Sequence, residues 1–234
     1  MRRAVLHHGA AVLAGLLAIV AASQGAIAGG IEVLVLDRDG QPVPEVAVYA
    51  RASGSSGSAA AEAGAPSVSG PELVATMNQH ELAFDPHILV VETGTLIDFP
   101  NEDQVRHHVY SFSPVKRFNF SVDSGSIHEA LRFDEAGVVT LGCNIHDDML
   151  AYIVVVDTPH FTMTNGDGIA ELPELAPGRY ELEIWTPRVA SKHLPDAVVV
   201  DVQADRNVGH EFRFDANLYR AHRHSETSLV WSDY

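Results

Sequence analysis

One loop constrains this 234-residue chain more than any other stretch: Leu141-Gly142-Cys143-Asn144-Ile145-His146-Asp147-Asp148-Met149-Leu150, which holds its single cysteine. A thiol, an imidazole three residues on and a thioether three further on share one short connection. Apolar runs flank it at 137–141 and 151–156, and short continuous runs of this kind read as buried strands. Soft sulfur donors between two packed strands describe a copper site, since thiolate and thioether favour copper and imidazole accepts either oxidation state. A trigonal His2Cys set with a weak axial Met then needs one more histidine. The upstream stretch Phe99-Pro100-Asn101-Glu102-Asp103-Gln104-Val105-Arg106-His107-His108 offers two. Neighbours on a strand point to opposite faces, so His107 and His108 cannot both face the metal. A bound metal would keep Cys143 ionised, because only the thiolate coordinates. Three donors from one loop and a fourth from a distant strand end leave little room for geometry to change between oxidation states, which suits an electron carrier.

The N-terminus is expected to be a cleaved signal peptide over residues 1–28. Arg2 and Arg3 form a basic start, residues 10–22 an apolar stretch, and Ala26-Ile27-Ala28 a small-residue cleavage site. The apolar stretch is short for a membrane span, and no later segment could cross one, so the mature chain is expected in the periplasm. One cysteine cannot form an intramolecular disulfide, even where disulfides are normal. The formal charge of −16 becomes about −18 once Arg2 and Arg3 are removed, which disfavours nucleic acid and fits a basic protein partner.

The remaining pattern is all-β. Strand-like residues run over 31–37, Asp39-Gly40 signals a hairpin turn, and residues 46–49 start a second strand that Pro42 and Pro44 push to an edge or past Pro44. A small-residue stretch (52–73) cannot bury enough apolar surface to order itself and reads as a flexible linker. Strands return at 74–79, 88–91, 95–99, 109–112, 118–122, 130–133 and 138–141, with no helical period among them. Beyond Pro159, Asn165-Gly166-Asp167-Gly168 and Ala176-Pro177-Gly178 are turns. Between and after them lie strands at 169–172, 180–185, 197–202 and 210–214, with Tyr180, Leu182 and Ile184 on one face. The tail (217–234), with His222 and His224, is expected to be loosely ordered.

The Cys-x-x-His-x-x-Met loop together with Asn101 and His107 resembles the cupredoxins, and its three-plus-three spacing is most similar to amicyanin and plastocyanin-like members. The resemblance implies a Greek-key β-sandwich over 74–157 and a single copper per chain, with His107, Cys143, His146 and Met149 as ligands. It also implies that Asn101 ties the two ligand loops together. Residues 33–49 and 164–185 resemble the two halves of a carboxypeptidase-regulatory-like (transthyretin-like) sandwich, as found in proteins of the methylamine-utilisation type. On that reading residues 29–51 and 158–216 form a second, discontinuous β-sandwich around the first.

By the same resemblance the expected role is one-electron transfer to a redox protein, a c-type cytochrome or an amine dehydrogenase. The alternative is a copper carrier or sensor that uses the second sandwich for docking. An oxidase or reductase would need a second copper with an open position, and the sequence offers no His-x-His pair outside the tail, so the chain is not expected to be an enzyme. His80, His87 and His128 lack partner spacing and are expected at the surface.

Overall fold

The structure, a computed structural model, describes residues 28–53, 73–146 and 148–220. The expected signal peptide, apart from Ala28, lies outside the described residues, as do most of the linker and the tail beyond 220. Among the described residues no helix is long and apolar enough to cross a membrane.

The fold is all-β. The chain opens with β1 (Gly29–Leu36) and β2 (Ala47–Ala52). It continues through β3 (Val74–Thr76), β4 (Asn78–His80), β5 (Ala83–Asp85), β6 (Ile88–Glu92) and β7 (Thr95–Pro100). Next come β8 (His107–Ser111), β9 (Phe118–Val122), β10 (Ile127–Phe133), β11 (Gly137–Cys143) and β12 (Leu150–Val156). The last strands are β13 (Phe161–Met163), β14 (Ile169–Leu175), β15 (Gly178–Trp185), β16 (Val198–Val202) and β17 (Asn207–Arg213).

These strands make four main layers. A sheet ordered β10-β7-β3 faces one ordered β6-β12-β11-β8-β9, and a sheet ordered β13-β2-β15-β16 faces one ordered β14-β1-β17. The first pair closes on a core that includes Ile97, Phe99, Val109, Phe133, Leu141 and Ile153. The second closes on Val33, Val35, Val48, Leu172, Leu182 and Phe212. A smaller third core of Ala47, Ile88, Val154 and Val156 joins the two inner sheets back to back, with Tyr49, Tyr152, Phe161 and Trp185 around it. That junction explains the unbroken apolar run of β12. Ala151, Ile153 and Val155 face the first core, while Val154 and Val156 face the third, so neither side of the strand can be polar.

Several local features differ from the sequence reading. The turn at Asp39-Gly40 forms, with Asp37 Oδ1 accepting the amides of Asp39 and Gln41 (2.9 and 2.8 Å) and Gly40 at φ +79°. It closes a short antiparallel bend, with Asp37 N–H donating to Gln41 O (2.8 Å) and Val43 N–H to Val35 O (2.9 Å), but β1 and β2 themselves part, β1 pairing with β14 and β17 and β2 with β13 and β15. Accordingly β2 begins after Pro44 and is internal, not an edge. The run 74–79 breaks at Met77, whose side chain is fully buried. This leaves β4 to form a separate hairpin with β5. The start of the tail is held: Arg188 Nε donates to Tyr219 O at 3.2 Å, Arg38 Nη1 donates to Asn217 Oδ1 at 3.1 Å, and Leu218 packs on the flanking core.

Candidate metal centre

Strand parity decides which histidine faces inward. Along β8, His107, Val109 and Ser111 are buried while His108 and Tyr110 are half-exposed, as alternation requires. His107 is 0% exposed and shares a face with Val109, a residue of the central core. His108 turns the other way, and its Nδ1 lies 3.0 Å from Asn144 Nδ2. Cys143 obeys the same rule on β11, following Val139 and Leu141 into that core.

The pairing of β8 with β11 then brings the two donors together. Cys143 stands opposite Val109 and Gly142 opposite Tyr110. The missing side chain at Gly142 makes room for the Tyr110 ring, since a Cβ there would lie 2.6 Å from Tyr110 Cζ. Asn144 donates its backbone N–H to His108 O at 3.1 Å, which pins the following loop to β8. A turn closed by Met149 N–H to His146 O (3.1 Å) brings the chain back to the core. Met149 is buried there at 1% exposure, in the same cluster as Cys143.

The outcome is a convergence of three donors. Cys143 Sγ lies 3.9 Å from His107 Nδ1 and 3.9 Å from His146 Nδ1. The three residues' donor atoms all lie within 4.8 Å of one another. A metal bonded to sulfur at ~2.3 Å and to nitrogen at ~2.0 Å holds those atoms about 3.7 Å apart at a trigonal angle. The two sulfur-to-nitrogen separations match that spacing closely, so a metal ion fits between the thiol and each imidazole. His146 is half-buried. Burial lowers its pKa from the ordinary histidine value and nearby His107 lowers it further, with Asp103 opposing. Both effects favour the neutral imidazole that a metal needs.

Asn101 occupies a different place from the one the sequence implied. Its Nδ2 donates to Val105 O (2.8 Å) and Val122 O (3.0 Å), and its Oδ1 accepts the amide of Asp103 at 3.0 Å. Among the described residues, then, it holds the 101–107 loop to β9, and it is Asn144 that ties the Cys143 loop to β8.

The sequence reading also missed Asp103, whose Oδ2 lies 2.7 Å from His107 Nε2. A carboxylate four residues before a candidate ligand was the available signal, because metal-bound histidines commonly donate their second ring N–H to one. His87 and His128 are half-buried at the surface, packed on Tyr152 and Phe120 with ring centroids 5.6 and 3.6 Å apart. His80 is 53% exposed, beside Glu81 and Glu102. His222 and His224 lie outside the described residues.

No family model matches the chain, and no curated protein matches it. Solved structures are similar to part of it. A reduced amicyanin variant is 20% identical over 36% of this chain and 82% of its own, with a TM-score of 0.33. A purple cupredoxin from Nitrosopumilus maritimus is 21% identical over 35% of this chain and 99% of its own, with a TM-score of 0.32. The Cu-containing nitrite reductase NirK of Thermus scotoductus SA-01 is 23% identical over 37% of this chain and 23% of its own, with a TM-score of 0.35. The chemistry of the centre follows from this chain's own side chains: one buried thiol and two imidazoles at metal-ligand spacing.

Proposed function

We propose that this chain is a periplasmic type 1 (blue) copper protein that carries single electrons. His107, Cys143 and His146 would hold the copper, Met149 would add a weaker thioether donor, and one copper would bind per chain. The observation that carries the reading is the approach of both Nδ1 atoms to Cys143 Sγ at 3.9 Å, which puts three donors around one point. When bound, copper supplies a one-electron step between Cu(I) and Cu(II). The protein's part is to hold the donors still. His107 and Cys143 are set by paired strands, and His146 and Met149 by a closed turn, so little reorganisation accompanies electron transfer. The buried faces of Cys143 and Met149 exclude water, and half-buried His146 gives electrons a way out. A carrier suits the cluster found among the described residues, where protein side chains supply the donors.

On the same reading residues 74–157 form the copper-bearing unit. Residues 29–51 and 158–216 form a carboxypeptidase-regulatory-like sandwich that provides docking. The acidic balance suits a transient encounter with a redox protein bearing a basic patch, a c-type cytochrome or an amine dehydrogenase being the classes to try first. The test is a visible and EPR spectrum of residues 29–234 after copper addition and ferricyanide oxidation. An intense blue band with narrow hyperfine splitting supports the proposal. A pale tetragonal spectrum, or no copper uptake, overturns it. Met149→Gln should keep the copper and shift its potential, since the axial ligand tunes the centre.

A further inference from the structure

The two histidines of the centre are held very differently. His146 sits half-buried on a loop, whereas His107 is 0% exposed and its outer nitrogen meets a carboxylate that is itself only 10% exposed. Asp103 Oδ2 receives two donors at once, His107 Nε2 at 2.7 Å and the backbone amide of Leu82 at 3.0 Å. The amide of Asp103 is anchored on Asn101 Oδ1, and its carbonyl accepts Ser124 Oγ at 2.7 Å. The Leu82 contact comes from the tip of the β4–β5 hairpin, where Glu81 and Leu82 hold φ +53° and +59°. Two consecutive non-glycine residues in that left-handed region are unfavourable, and strain of this kind persists only where surrounding contacts enforce it. Here it aims a backbone N–H at the carboxylate.

We infer that Asp103 is a positioning residue that fixes the tautomer of His107 and biases the centre toward oxidised copper; this rests on the copper reading above. An anionic carboxylate accepts a proton-bearing Nε2, which leaves the lone pair on Nδ1, the atom facing Cys143 Sγ. The same negative charge, passed through the ring, makes Nδ1 a stronger donor. It stabilises the doubly charged metal more than the singly charged one, so it lowers the reduction potential. The hairpin tip takes part by holding Asp103 in place.

The test begins on the mature apoprotein, with 15N-labelled histidine and NMR spectra that report which ring nitrogen of His107 bears hydrogen. The wild type should show hydrogen on Nε2. Asp103→Asn can keep an oxygen in place for both donors, so it should retain that tautomer. It should also lower the ratio of Cu(II) to Cu(I) affinity about tenfold, a rise of about 59 mV in potential. Asp103→Ala should lose the fixed tautomer and bind Zn(II) roughly 10- to 100-fold more weakly. Hydrogen on Nδ1 in the wild type, or an unchanged affinity ratio in Asp103→Asn, overturns the inference. If the wild type takes up copper without a blue band, the electron-carrier reading fails. The tautomer and the zinc affinity then still decide the role of Asp103.

Discussion

The central core and the flanking core are built from the same kind of strand but differ in the buried polarity they carry. In the flanking half, the buried threonines complete the backbone: Thr164 Oγ1 accepts the amide of Val46 at 2.9 Å and donates to Val43 O at 2.8 Å, and Thr158 donates to Ala50 O at 2.7 Å. The central half buries Asn101 against the backbone of its own loop and of β9, and then adds His107 and Cys143, whose facing atoms are 3.9 Å apart. An imidazole and a thiol set in an apolar core contribute less to stability than the aliphatic residues that could replace them. One half is arranged to fold, and the other gives up some packing to hold a reactive pair. The back-to-back junction of Ala47, Ile88, Val154 and Val156 couples them.

The sharpest way to break this contrast is Cys143→Ser. A hydroxyl is neither soft nor readily ionised, so the blue band should vanish entirely while the thermal unfolding midpoint moves little. Next in size come paired truncations. Phe99, fully buried against Phe118 and Phe120 at centroid distances of 5.8 and 5.3 Å, should lose about 3–5 kcal/mol as Phe99→Ala, and copper retention should fall with it. Leu182→Ala in the flanking core should cost ~2–5 kcal/mol in a denaturant titration, yet leave the copper spectrum in place. Equal bleaching by both variants would mean that the two cores do not divide the work. Thr164→Val strands the amide of Val46 and should cost roughly 1–3 kcal/mol, again with no spectral change. The smallest effect belongs to His108→Ala. It removes the contact with Asn144 and should cost about 1 kcal/mol with the metal spectrum intact. Loss of the spectrum in that variant would move the upstream ligand from His107 to His108.

Much of this was legible in the chain. The face shared by Tyr180, Leu182 and Ile184 is inward, as its alternation implied, and the runs on either side of Cys143 pair antiparallel as β11 and β12. The three-residue strands β5 and β13 were not legible, because a period of two cannot show itself in so short a segment. The turn at Asp39-Gly40 was readable as chemistry, but not as topology. Its residues dictate the local bend, while the destination of β2 depends on β13 and β15, more than a hundred residues away.

By itself, the sequence determined the strand-rich class, the soft donors and the spacing that folds His146 and Met149 into one turn, because these depend on side-chain chemistry and local geometry alone. Tertiary structure decided the rest. The register of β8 against β11 made His107, and not His108, the inward histidine. The placing of Asn144 took over the tie between loops that Asn101 was expected to make. The approach of a distant hairpin set Leu82 and Asp103 behind His107. Each depends on which strand lies beside which, and that is fixed by burying three cores at once and not by any short stretch of residues.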